Sequence, residues 1–79
     1  MGSRNALHDR EYRRFVARLR LAREEAGLSQ QAVADAMGRS QRFVSRCETG
    51  ERRVDVIEFR DFCAVYKLPP DYFIEKWPG

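Results

Sequence analysis

Apolar positions along the chain fall into short runs with helical spacing. Tyr12, Phe15, Val16, Leu19, Ala22 and Ala26 recur at three- and four-residue steps, one stripe of a helix. Asp9 is placed to cap its start and Gly27 to end it. This predicts a helix over residues 10–26 behind a loose arm, residues 1–9. Ser29 caps a second helix, 30–37, with Val33, Ala34 and Met37 facing inward. Gly38 stops it, and Ser40 opens a third, 41–48, with Val44 and Cys47 inward. Thr49-Gly50-Glu51 breaks the pattern, and Arg52-Arg53-Val54 reads as loop. Asp55 caps a fourth helix, 56–66, where Phe59, Phe62, Cys63 and Tyr66 follow the steps i, i+3, i+4, i+7. Pro69-Pro70 ends that run, and Pro70 suits the first position of a short last helix, Asp71 to Trp77. Period-two alternation nowhere persists, so the pattern predicts an all-α chain of five helices.

The two short helices around Gly38 carry the most information. With Gln30 as position one of a twenty-residue unit, Ala34 is fifth, Gly38 ninth, Val44 fifteenth and Cys47 eighteenth. Two helices crossing steeply need a small residue where they touch, which Ala34 supplies. The sharp turn between them needs a residue tolerant of positive φ, which Gly38 supplies. The corner projects the start of the second helix outward.

Composition narrows the class. The 79 residues, 43% hydrophobic, supply one small core, hence one domain over residues 10–79. No apolar stretch reaches the roughly 18–20 residues of a membrane span, and no secretory signal opens the chain. Ala6 stands where a myristoylation signal needs Ser or Thr. Two cysteines and one histidine without a Cys-x-x-Cys pair point away from metal sites, disulfide frameworks and cofactors. The small size and the lack of a nucleophile–base constellation point away from an enzyme. Thirteen of the 15 basic residues are Arg, and the net charge is +3. Residues 39–53 hold Arg39, Arg42, Arg46, Arg52 and Arg53 against Glu48 and Glu51, whereas residues 54–79 are mildly acidic. Arginine's planar fork suits phosphates and guanine edges, which points to nucleic acid.

The run from Leu28 to Gly38, then Ser40-Gln41-Arg42-Phe43-Val44-Ser45-Arg46, then Glu48-Thr49-Gly50-Glu51-Arg52-Arg53 resembles the Cro and phage-repressor type of helix-turn-helix domain. This is also called the xenobiotic-response-element family. The likeness spans about residues 10–75 and implies a five-helix, lambda-repressor-like domain. Arg39 departs from it, standing where an apolar residue is usual, as does Cys47, where Leu or Ile is usual.

The resemblance implies that the third helix enters the DNA major groove. By matching position, Gln41, Arg42, Ser45 and Arg46 face base edges, with Gln41 suited to adenine and Arg42 to guanine. Arg46, a turn further on, reaches bases or only phosphate. Gln30, Ser40, Thr49, Arg52 and Arg53 are implied backbone contacts. Capping alone accounts equally for Ser40, and a mobile basic loop for Thr49, Arg52 and Arg53. Arg23 and Glu48 match a pair that orients the recognition helix. Phe43 either presses on a thymine methyl or packs on its own core, and packing is the simpler reading. Cys47 and Cys63 read as core filler rather than redox sensors, and His8 has no partner at ligand spacing.

Ile74, Trp77, Tyr72 and Leu68 are left over at the acidic end and are the expected dimer surface, with Phe73 closing the core. The sequence thus reads as a bacterial or phage cytoplasmic regulator. It binds double-stranded DNA as a homodimer on a near-palindromic operator, with promoter blocking as the simplest mechanism. No small-molecule ligand is expected. An antitoxin or restriction-modification controller of the same fold, with a second protein as partner, is the alternative. A protein-interaction module that has lost DNA binding is a third, weighed down by its five clustered arginines.

Overall fold

The computed structural model describes residues 3–74, with side chains from Asp9 onward. Among them the chain is all-helical: α1 (Ser3–Glu25), α2 (Gln30–Met37), α3 (Gln41–Thr49), α4 (Val56–Tyr66) and α5 (Pro70–Phe73). α2 and α3 form the most closely packed pair, and α1, α4 and α5 wrap behind them.

The polar caps read from sequence close the helix starts. Ser29 Oγ accepts from the Ala32 amide at 3.0 Å, and Ser40 Oγ from the Phe43 amide at 3.1 Å. Asp55 and Glu58 form a reciprocal capping box on α4. Gly38 adopts φ 67°, turning the chain between α2 and α3. A Cβ there would meet nothing within 4 Å, so the requirement for glycine is conformational. Lys67 takes the same left-handed conformation (φ 57°) without glycine's freedom and closes α4.

Two boundaries differ from the sequence reading. Residues 3–9 are not a separate arm but the first turns of α1, so Asp9 lies within the helix rather than at its cap. Asn, Ala, Leu and His carry no helix-breaking signal, and a helix already anchored further on extends residue by residue at little cost. At the other end α5 is a single turn. Ile74 is extended (φ −128°, ψ 123°), and Trp77, expected in this helix, lies outside the described residues.

The core joins Phe15, Leu19 and Ala22 of α1, Val33 and Ala34 of α2, Phe43, Val44 and Cys47 of α3, Phe62 and Tyr66 of α4, and Phe73. Phe73 closes it as expected. Ala26 does not belong to it: α1 ends at Glu25, and Ala26 sits exposed in the turn. Phe43 joins the core, its ring parallel to that of Phe62 at 6.1 Å.

The Tyr66 hydroxyl is the one orphan among the described buried side-chain polar atoms. Burial pushes its phenol pKa up. A buried donor without a partner costs desolvation, so Tyr66→Phe should raise stability, by up to about 1–2 kcal/mol. Thermal unfolding of the two proteins measures this, and a clear loss would mean that the hydroxyl is bonded in solution.

Candidate nucleic-acid interface

The exposed face of α3 is a stripe at helical spacing. Gln41 and Arg42 are exposed, Ser45 and Arg46 half-buried, and Thr49 exposed, while Phe43, Val44, Cys47 and Glu48 point into the protein. Apart from the buried Glu48, the helix keeps its polar positions outward and its apolar ones inward, and all four expected base-facing residues share one side.

Behind this stripe runs a chain of hydrogen bonds. Arg23 on α1 donates from Nε to Glu48 Oε2 at 2.7 Å and from Nη2 to Glu48 Oε1 at 3.1 Å. It also donates from Nη1 to the Leu28 carbonyl at 2.9 Å. Glu48 Oε1 further accepts from Gln30 Nε2 at 3.1 Å, and Gln30 Oε1 accepts from Gln41 Nε2 at 2.6 Å. Gln30, expected to meet only DNA backbone, therefore bridges α2 to the first residue of α3. Its spacing from Gln41 carries no local signal, because the two meet only once the helices cross.

The arginines divide into two groups. Arg42 forms no hydrogen bond or ion pair with any described residue. Arg53 is exposed, 3.7 Å from Asp9 and with its guanidinium carbon 4.2 Å from the Tyr12 ring centroid. Arg46 pairs loosely with Glu51 at 3.7 Å. Arg39 and Arg52 are instead held by Glu58: Arg39 Nη1 donates to Oε2 at 3.1 Å and Arg52 Nη1 to Oε1 at 2.7 Å. The Arg52 hydrogen bond leads in holding the Glu58 carboxyl at a pKa of about 2 despite its burial. Arg52 is thus a structural side chain with only part of its surface open to a phosphate. The sequence reading takes Asp55 alone as a cap; its Asp-x-x-Glu spacing to Glu58, a capping-box signature, is the local signal that could have found this carboxylate.

Thr49 ends α3 rather than lying in the loop. Its hydroxyl donates to the Arg46 carbonyl and accepts from the Glu51 amide. Thr49, Gly50 and Arg53 line one concavity with Arg13 of α1, a cation that sequence reading did not single out. Burial pushes the Cys47 thiol up to about 11, so it stays protonated at neutral pH and packs as an apolar filler. Among the described residues no cluster of His, Cys, Asp or Glu is placed to hold a metal. Nor is any described helix long and apolar enough to cross a membrane.

At the far end, Leu68 and Tyr72 are half-buried against the core. The Tyr72 hydroxyl donates to Glu25 at 3.2 Å, and its carbonyl accepts from Arg18 at 2.7 Å. Of the expected dimer residues Ile74 alone is described and exposed, because Leu68 and Tyr72 are partly buried against the core. Val56 and Ile57 are exposed as well. Val56 and Ile74 edge an apolar groove floored by Tyr12, Phe15, Val54 and Phe59.

The Arg23 and Glu48 side chains are only 14% and 3% exposed. Truncating either leaves a buried charge unpaired, costing about 3–5 kcal/mol. Removing both should cost less than the sum. A double-mutant cycle on thermal stability reads the coupling, and additive losses would show that the pair does not interact.

Comparison with known proteins agrees with this geometry. Residues 14–72 match the model of a helix-turn-helix domain family. A solved structure of an XRE-family like protein from Pseudomonas syringae pv. tomato str. DC3000 superposes with a TM-score of 0.80 at 42% identity, covering 84% of this chain and 80% of that one. No curated protein matches the chain. An α2–α3 corner turned at Gly38 with an outward polar stripe, in a chain matched over most of its length, makes this protein a member of the XRE/Cro-type helix-turn-helix family of DNA-binding regulators.

Proposed function

We propose that the chain is a sequence-specific transcriptional regulator that binds double-stranded DNA through α3. It acts as a homodimer on a near-palindromic operator, and it represses by occupying the promoter. The observation that carries this reading is the polar stripe of α3, with Gln41 already oriented by Gln30 and Arg42 exposed, without a hydrogen-bond or ion-pair partner among the described residues. An amide held in place suits paired hydrogen bonding to adenine, and an exposed guanidinium suits the two acceptors of guanine. Ser45 and Arg46 extend the reading face by one turn. Gln30, Ser40, Thr49, Arg53 and the open edge of Arg52 serve the phosphates on either side. The protein works in the cytoplasm of a bacterium or phage host, needs no cofactor and catalyses nothing.

Selection of bound duplexes from a random pool tests the reading directly, and an enriched palindrome is the expected result. On the selected site Arg42→Ala should lose about 1–3 kcal/mol and relax preference at one base pair per half-site. Arg53→Ala should weaken all sequences alike and lower the salt slope by about one unit. Uniform loss in both variants, with base preference intact, would remove Arg42 from the reading face.

One recognition helix covers too few base pairs for genomic selectivity, so two copies are required. Their α3 helices would sit about 34 Å apart, one turn of B-DNA. The exposed Ile74 and Val56, with the groove between them, form the interface, and Trp77 follows Ile74 three residues on in sequence. Such a patch is small, so the dimer forms fully on DNA. Sedimentation of wild type and Ile74→Ser, with and without the selected duplex, should show two chains per duplex for wild type and weakened pairing for the variant. A single wild-type chain per duplex would overturn the homodimer.

A further inference from the structure

Glu58 lies on α4, away from the polar stripe, yet it ties down the first turn of α3. Its carboxylate is buried and accepts three donors from three parts of the chain. Arg39 comes from the turn before α3, Arg52 from the loop after it, and the Asp55 amide from the α4 cap. The two guanidinium groups then close on one ring: the Arg39 carbon lies 3.8 Å and the Arg52 carbon 4.9 Å from the Phe43 centroid. Both distances fall within the range of cation–π attraction. Phe62 packs parallel to the same ring. Phe43 is the third residue of α3 and the direct neighbour of Arg42. Tilting or rolling α3 would slide Phe43 past two cations that cannot leave without stranding a buried carboxylate. Bidentate pairing to a base edge tolerates an error of only about 0.5 Å, so this restraint bears on readout.

We propose that Glu58 is a positioning residue for base recognition: through Arg39, Arg52 and the Phe43 ring it sets the pitch of the first turn of α3, and hence the reach of Arg42, without itself touching DNA. The inference rests on the DNA-reading role given to α3 above. It also accounts for the Arg at position 39. A cation there supplies one of the two charges that hold the carboxylate and covers the ring that would otherwise meet water.

Two variants of opposite charge effect test it. Glu58→Gln raises the net charge by one, and Arg39→Gln lowers it by one. Dissociation constants are measured at one salt concentration for three duplexes. These are the duplex selected from the random pool, the same duplex changed at the base pair whose preference Arg42→Ala relaxes, and a shuffled duplex of equal composition. Positioning predicts that both variants lose discrimination at that base pair, by about fivefold or more. Binding to the shuffled duplex should meanwhile move in opposite directions, tighter for Glu58→Gln and weaker for Arg39→Gln. If both retain the wild-type discrimination and only the shuffled affinity moves, Glu58 is a counter-charge and the proposal fails. Circular dichroism confirms folding at the binding temperature. Should Glu58→Gln unfold, Arg39→Gln, at an exposed turn, decides the matter alone. A wild-type chain that prefers no duplex would instead sink the DNA-reading role itself, a different result from variants that discriminate as well as wild type.

Discussion

The buried carboxylate of Glu48 is the constraint on which the recognition face depends. A carboxylate removed from water is tolerated only with its lone pairs filled, and three helices are drawn together to fill them. Arg23 reaches it from α1 with two nitrogens, and Gln30 from α2 with one. The remaining oxygen of the Gln30 amide then orients Gln41, so a polar requirement in the interior is transmitted to a side chain on the surface. The apolar contacts of Val33, Ala34, Val44 and Cys47 hold α2 and α3 together but are non-directional. The bonds to Glu48 choose the orientation within that contact.

Glu58 repeats the arrangement at the other end of α3, with Arg39 and Arg52 in the place of Arg23. The domain therefore uses two acidic residues, Glu48 and Glu58, to pair three arginines, Arg23, Arg39 and Arg52. The cost is part of the positive charge that a DNA-binding surface would otherwise offer. Arg42, Arg46 and Arg53 stand outside these two clusters, and their orientations differ. Arg42 has no ion-pair partner among the described residues, Arg46 leans on Glu51, and Arg53 lies against Tyr12. Charge density along the sequence overstated the number of free cations because it cannot see which acids fold back on which bases.

Helix positions α2, α3 and α4 were legible because their signals are local. Ser29, Ser40 and Asp55 cap through bonds to amides three residues on, and Gly38 turns the chain at a φ that other residues resist. The ends of the chain were not legible in the same way. The start of α1 has no strong stop signal, so its extension to Ser3 is a matter of helix propagation rather than of a cap. The expected burial of Ala26 failed because periodicity continues past the residue where the backbone leaves the helix.

The sequence by itself determined the helical class, the α2–α3 corner, the polar side of α3 and the pairing of Arg23 with Glu48. The first three follow from contacts within a few residues of one another. The pairing follows from the resemblance of the surrounding run to a known family. Tertiary structure alone decided that Gln30 supports Gln41, that Arg39 and Arg52 serve Glu58, and that Leu68 and Tyr72 turn inward while Val56 and Ile74 stay exposed. Each of these depends on parts of the chain that only folding brings together. A long polar side chain has many reachable partners, and only the packed positions of the backbones select one.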